Sequence, residues 1–187
     1  PQAEVKGISL EVNMHDIIYE TLSADPLRLN QIITNLLTNA VKYTDNGGKV
    51  LFDISQSRLP DDDEKIRLKI VVSDNGTGMT KEFQETMYNS FTRALDSRTN
   101  KIQGTGLGLA IIKQLVDLMN GSIDCKSELG KGTTFTVYLD LAILNEHKHL
   151  DTVNLDSLHE KNYDFSRRQR QMCIRDSYMY LLPKTMI

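Results

Sequence analysis

The stretch from Gln31 to Thr44 constrains this chain more than any other. At about 100° per residue, Ile32, Ile33, Leu36, Leu37 and Ala40 fall on one arc, and Gln31, Asn35, Asn39 and Lys42 fall opposite it. This spacing predicts an amphipathic helix with one apolar face and one face of amides. Asp25 caps its start, Pro26 supplies a preset φ where no amide partner is needed, and Asp45-Asn46-Gly47-Gly48 stops it. Asn35 and Asn39 stand one turn apart, and each carries an amide oxygen able to ligate a hard cation such as Mg²⁺. Read alone, the same residues are the polar stripe of any surface helix.

The rest of the chain falls into place around that helix. Residues 8–13 alternate apolar and polar, and residues 17–22 do so more loosely, which predicts two strands before it. After it, residues 48–57 and 65–73 read as a hairpin of two strands joined by a polar loop over 58–64. The second strand ends in Asp74-Asn75-Gly76-Thr77-Gly78-Met79, where alternate glycines permit positive φ and let a ligand approach the backbone. A short helix is expected over 80–87. A polar segment over 88–103, with Phe91 as its anchor, has the composition of a lid or binding loop. Gly104-Thr105-Gly106-Leu107-Gly108-Leu109 then opens into the helical pattern of Ile111, Ile112, Leu115, Val116, Leu118 and Met119, stopped by Asn120-Gly121. Strands over 122–127 and 133–141 complete the order ββ-α-ββ-α-lid-α-ββ. The pattern fades near residue 145, so residues 1–144 read as one α/β domain. Residues 145–187 read as a linker or foreign tail without a domain of its own, and 171–187 fit no element of the domain.

Charge and composition narrow the function. A net charge of −3 gives no support for a nucleic-acid surface, and Arg167-Arg168-Gln169-Arg170 is a short basic cluster in the tail. Cys125 and Cys173 lie far apart, which fits a reducing compartment and neither a disulfide framework nor a zinc site. No apolar run approaches the roughly 18 to 20 residues that span a bilayer. The expectation is a cytoplasmic fragment without membrane contact. Pro1 reads as an excision point from a longer parent that could itself be anchored in the inner membrane.

Glycines that open a helix suggest an anion site, because free amides and the positive end of the helix dipole converge there. The dinucleotide fingerprint G-x-G-x-x-G fails, since counting from Gly104 its last place is Leu109. The P-loop fails too: Gly130-Lys131 has Cys125 where the first glycine belongs and Gly132 where the hydroxyl belongs. What remains is a set in a fixed order. Asn35-x-x-x-Asn39-Ala-x-Lys42-Tyr43, Asp74-x-Gly76-x-Gly78 and Gly104-Thr-Gly106-Leu-Gly108-Leu resemble the N, G1 and G2 boxes of the ATP-binding domain of sensor histidine kinases. That domain is a branch of the superfamily that includes gyrase and MutL. Phe91-Thr92-Arg93 stands at its F box, and the resemblance covers residues 7–141.

The resemblance implies a two-layer α/β sandwich: one mixed sheet of five main strands, three helices on one face, and a flexible lid. It implies Mg-ATP as cofactor, with Asp74 accepting a hydrogen bond from the adenine amino group and Gly76, Gly78 and Met79 beside it. Asn39 matches the Mg²⁺ ligand, Asn35 lies near metal and phosphates, and Lys42 meets a phosphate oxygen. Tyr43 either packs by the nucleotide or belongs to the core. Gly104, Thr105, Gly106, Leu107, Gly108 and Leu109 would cradle the β- and γ-phosphates, with Phe91 and Arg93 from the lid. Arg98 and Lys101 either reach the phosphates or are solvated loop charges. Asn35 occupies the place of the water-activating glutamate of the gyrase branch, and an amide is no general base, so slow hydrolysis is expected. Transfer to a neutral imidazole needs positioning and charge neutralisation rather than a strong base.

The expected activity is that of a protein-histidine kinase catalytic domain, with Asn35, Asn39 and Lys42 at the reacting phosphate. Its partners would be the dimerisation domain that carries the acceptor histidine and, downstream, a response regulator. His15-Asp16-Ile17 imitates the start of the acceptor segment, but Ile18 and Glu20 stand where that segment has Arg and Pro. The fragment alone is therefore not expected to phosphorylate itself. The alternatives are a non-catalytic nucleotide-sensing module, an ATPase of the same superfamily, and an anti-sigma-type serine kinase.

Overall fold

The computed structural model describes residues 2–89, 106–144 and 171–173. Its elements run α1 (Gln2–Val5), β1 (Ser9–His15), β2 (Thr21–Ser23), α2 (Pro26–Tyr43), β3 (Lys49–Leu59), β4 (Asp62–Asp74), α3 (Lys81–Thr86), α4 (Gly108–Leu118), β5 (Ser122–Glu128), β6 (Gly132–Ile143) and β7 (Gln171–Cys173). The strands form one mixed sheet in the order β1-β3-β4-β6-β2-β7, with β5 paired to the first half of β6. Among the described strands, only β1 and β3 run parallel. A parallel pair requires a crossover, and β2 with α2 supplies it.

Every second strand residue faces the helices. One cross-strand row runs Met14, Ile54, Ile70, Val137, Ile123, and all five belong to or pack on a single apolar core. α2 lays the predicted arc of Ile32, Ile33, Leu36, Leu37 and Ala40 onto it, all buried, and the structure adds Leu29 and Val41. Full burial of each large aliphatic side chain contributes about 1.5–3 kcal/mol, which holds the helix whose other face carries Asn35 and Asn39. The opposite face of the sheet is polar; there the register partners Arg67 and Asp140 form a two-pronged ion pair at 2.7 and 2.8 Å.

Both ends of α2 are finished by other residues. The Asp25 carboxylate accepts from the amides of Leu27 (3.0 Å) and Arg28 (3.1 Å). At the far end the Lys6 ammonium donates to the carbonyls of Val41, Lys42 and Thr44 at 3.0, 2.9 and 2.8 Å. The four-residue α1 that delivers Lys6 is too short to leave a periodic signal.

Elsewhere the structure adjusts the expected boundaries. The strand anticipated over 17–22 is reduced to β2, because a buried side chain replaces the ladder at its start. Gln56 accepts from the amides of Ile18 (2.8 Å) and Tyr19 (2.9 Å) and donates to the Tyr19 carbonyl (2.8 Å). The polar loop anticipated over 58–64 is strand almost to its tip. β3 runs to Leu59, β4 restarts at Asp62, and the exposed charges Asp63, Glu64 and Lys65 sit on a projecting hairpin where solvent reaches them. Within the tail, β7 pairs antiparallel with the free edge of β2, a connection that the sequence pattern does not signal.

Candidate functional site

The boxes converge at one end of the sheet, where β4 stops and α2 ends. Asp74 is the last residue of β4 and is paired in register with Thr133 of β6. Its carboxylate accepts from the Gly76 amide at 2.9 Å. Burial pushes its carboxyl above the ordinary aspartate range, opposed by backbone bonds from Gly76 and Thr133. A partly desolvated carboxylate at the mouth of a glycine loop is poised to accept a hydrogen bond from a ligand.

The 74–79 loop is held on three sides. From α2, the Tyr43 carbonyl accepts from the Thr77 amide at 3.0 Å. From the head of β3, Lys49 exchanges bonds with Asn75: its amide donates to Asn75 Oδ1 (2.7 Å) and its carbonyl accepts from the Asn75 amide (3.2 Å). From the β5–β6 turn, Gly130 donates to the Thr77 carbonyl at 2.7 Å. Ser127 Oγ accepts from the Met79 amide at 2.8 Å. The glycines are required by this crowding: a Cβ on Gly76 would lie 2.2 Å from the Tyr43 carbonyl oxygen. On Gly78, whose φ is +64°, it would lie 2.0 Å from the Glu128 carbonyl oxygen.

Asn35, Asn39, Lys42 and Tyr43 are half-buried on α2, whereas Gln31 is exposed. The Lys42 ammonium lies 4.9 Å from the centroid of the Tyr43 ring. Gly106 takes φ +73° and Leu107 precedes α4; a leucine has no side-chain oxygen with which to cap the amides of the first turn. Gly108 is the first residue of α4, and a Cβ there would sit 3.6 Å from Asn39 Nδ2 and 3.8 Å from its Oδ1. The uncapped helix start thus abuts the second asparagine. Leu109 is half-buried against the core. Phe91, Thr92, Arg93, Arg98, Lys101, Gly104 and Thr105 lie outside the described residues.

The description of the matching family model reads histidine kinase-, DNA gyrase B-, and HSP90-like ATPase, and the match spans residues 24–143. The chain belongs to this ATPase family. Among curated relatives, the signal transduction histidine-protein kinase BarA of Escherichia coli K12 is 35% identical over 136 residues, 73% of this chain and 14% of BarA. The autoinducer 2 sensor kinase/phosphatase LuxQ of Vibrio vulnificus is 38% identical over 144 residues, 76% of this chain and 16% of LuxQ. The hybrid signal transduction histidine kinase L of Dictyostelium discoideum is 40% identical over 141 residues, 74% of this chain and 8% of that kinase. The chain therefore spans a small fraction of the length of these relatives. Among solved structures, full-length ShkA in complex with AMPPNP superposes with a TM-score of 0.59 at 30% identity, covering 77% of this chain and 28% of ShkA. The mycobacterial sensor histidine kinase MprB shares the fold, with a TM-score of 0.58 at 22% identity over 76% of this chain and 88% of the other. The mixed α/β architecture is that of histidine kinase catalytic domains. No helix among the described residues is long and apolar enough to cross a membrane.

Several residues of this ATPase-family site carry no motif of their own. Thr133 donates to Asp74 from the backbone, and its hydroxyl lies 2.9 Å from Ser127 Oγ. Gln84 of α3 donates to the carbonyls of Met79 (3.0 Å) and Ser127 (3.1 Å), tying α3 to the loop. Cys125 faces the same region, where burial and the Asp74 charge push its thiol up to about 12. The one available signal was Gly130-x-Gly132, which the P-loop test discards; Gly132 is glycine because a Cβ would lie 2.0 Å from the Asp74 carbonyl oxygen.

Proposed function

We propose that this chain is the catalytic domain of a two-component sensor kinase, which binds Mg-ATP between α2, the 74–79 loop and the head of α4 and presents the γ-phosphoryl to a histidine on a separate dimerisation domain. The observation that carries this reading is the meeting of Gly108 with Asn39. It sets amides with no side-chain cap, at the positive end of a helix dipole, beside an amide oxygen of the kind that hard cations take. Bound Mg-ATP supplies the phosphoryl group; the protein supplies positions and charge. Asp74 selects a donor on the base, and the desolvation that raises its pKa also strengthens the hydrogen bond it accepts from a ligand.

Asn39 would hold the metal through its amide oxygen. No group of three or more His, Cys, Asp or Glu among the described residues could hold one instead, which fits Mg²⁺, an ion that keeps waters and phosphate oxygens as its other ligands. Lys42, in the last turn of α2, holds its ammonium over the Tyr43 ring; swinging off that ring would bring it to a phosphate oxygen. Tyr43 serves the loop through its backbone. Asn35 cannot take a proton from water, which favours transfer over hydrolysis. Gly76, Gly78 and Met79 would floor the base site, and Gly106, Leu107 and Leu109 would belong to the phosphate loop, with Phe91, Arg93, Gly104 and Thr105 assigned to the nucleotide by the resemblance alone.

Calorimetric titration of Mg-ATP into the chain and into Asn39→Ala is the first test: metal-dependent binding, lost in the variant, is expected. Supplying a histidine-bearing helical hairpin in trans then separates a kinase from a sensing module. The kinase labels it with an acid-labile phosphate, and absence of label with intact binding would leave only the sensing role.

A further inference from the structure

The carbonyl end of α2 is satisfied completely, by its own cap and by residues from outside the helix. An α-helix leaves its last four carbonyls without helical partners. Here Ala40 accepts from the Thr44 amide (3.0 Å) and hydroxyl (2.7 Å), and Val41 and Lys42 accept from Lys6 (3.0 and 2.9 Å). The fourth, Tyr43, accepts from Thr77 of the 74–79 loop (3.0 Å). Lys6 and the loop therefore hold adjacent carbonyls of one turn. With the Thr44 carbonyl at 2.8 Å, all three donors of the Lys6 ammonium are used.

Lys6 is itself held in place. Its carbonyl accepts from Gly47 (2.8 Å), Gly7 turns the chain at φ +61°, and Ala3 and Ile8 on either side are buried in the core. The contact between Gly76 and Tyr43 leaves no slack, since a single methyl would not fit there. Any shift of the last turn of α2 is thus passed to the loop.

We propose that Lys6 is a positioning residue for the nucleotide loop, fixing the last turn of α2 so that the Tyr43 carbonyl keeps residues 76 and 77 in register with Asp74. The inference rests on the nucleotide reading of that loop. It makes the segment entering the domain a mechanical input to the ligand site, by a route that touches no ligand.

The test compares Lys6→Met, which keeps the stem and removes the three donors, with Asp25→Ala, which removes the cap at the other end of the same helix. Mg-ATP affinity, melting temperature and amide hydrogen exchange are measured on the 187-residue chain. Lys6→Met is expected to weaken affinity about three- to tenfold and to speed exchange at the Thr77 amide relative to β4 amides. Asp25→Ala should lower the melting temperature comparably and leave both readings unchanged. If both variants move affinity and Thr77 exchange alike, or neither does, Lys6 is a helix cap and nothing more. Failure of the wild-type chain to bind nucleotide would overturn the nucleotide reading, while Thr77 exchange would still decide whether Lys6 holds the loop. Should Lys6→Met not fold, Lys6→Arg gives the same two readings, since it keeps the charge but spreads its donors over a planar fork.

Discussion

α2 and α4 pack against each other, yet they begin in opposite ways. α2 starts with an aspartate that closes its first amides and a proline that lacks one, so nothing at that end is left for a ligand. α4 starts with two glycines around a leucine, and its N-cap makes no side-chain hydrogen bond. The first arrangement stabilises the helix; the second forgoes that stabilisation and leaves donors pointing at the Asn39 face. Two helices of one layer thus differ at their starts, one closed by its cap and the other, in the proposed function, keeping a place for an anion.

The sharpest way to break this division is to remove what the loop between them offers a ligand while sparing the fold. Asp74→Asn should weaken nucleotide binding about 10- to 100-fold, the loss of one charge-assisted hydrogen bond, read by calorimetry. The fold should respond in the other direction. Because burial raises the Asp74 pKa above its unfolded value, the ionised carboxylate is a cost to folding that is absent below about pH 3.8 and complete above the folded pKa. Stability of the native chain relative to Asp74→Asn should therefore fall as the pH rises from acid towards neutral, measured by urea denaturation across that range. A variant that lost affinity and stability together at neutral pH would show Asp74 to be structural.

Gly76→Ala forces a Cβ against the Tyr43 carbonyl and should cost about 1–3 kcal/mol of stability, with nucleotide binding lost alongside. Asp25→Ala is the counterpart at the anchoring helix. About 1 kcal/mol should disappear from the unfolding free energy, with no change in affinity. The smallest change in stability is expected at the head of α4. Gly108→Ala should gain about 0.5–1 kcal/mol, because the new Cβ meets Asn39 at an ordinary contact distance and alanine favours the helix. Nucleotide affinity should nonetheless fall as the methyl group fills the space beside Asn39. A more stable Gly108→Ala with unchanged affinity would refute the anion role of that helix start.

What the sequence made legible follows from how local each feature is. α2 was readable with its caps, because Asp25, Pro26 and the apolar arc lie within one segment. The alternating strands and the boxes were readable for the same reason. Gln56 could not be foreseen as the partner of Ile18 and Tyr19, since nothing local marks a buried glutamine that replaces a strand. The charged positions 62–65 resembled a loop because a projecting hairpin needs no apolar alternation. In the site, the side chains of the boxes were nameable, but their supports were not. Tyr43 acts through a carbonyl, Thr133 through an amide and Lys6 across 35 to 38 residues, none of which leaves a pattern in the chain.

The closing of the 74–79 loop by Gly130 and Gly132 also has a kinetic meaning. The β3–β4 hairpin joins neighbouring segments and can form early, whereas β6 must return across more than sixty residues to reach β4, with Ser73 pairing Thr134. The ligand loop acquires its last wall only when that late strand seats. A chain still emerging from the ribosome, with α2 and the hairpin already built, would hold the asparagines and Asp74 but no pocket. On the proposed reading, nucleotide binding would add its free energy to the seating of that strand.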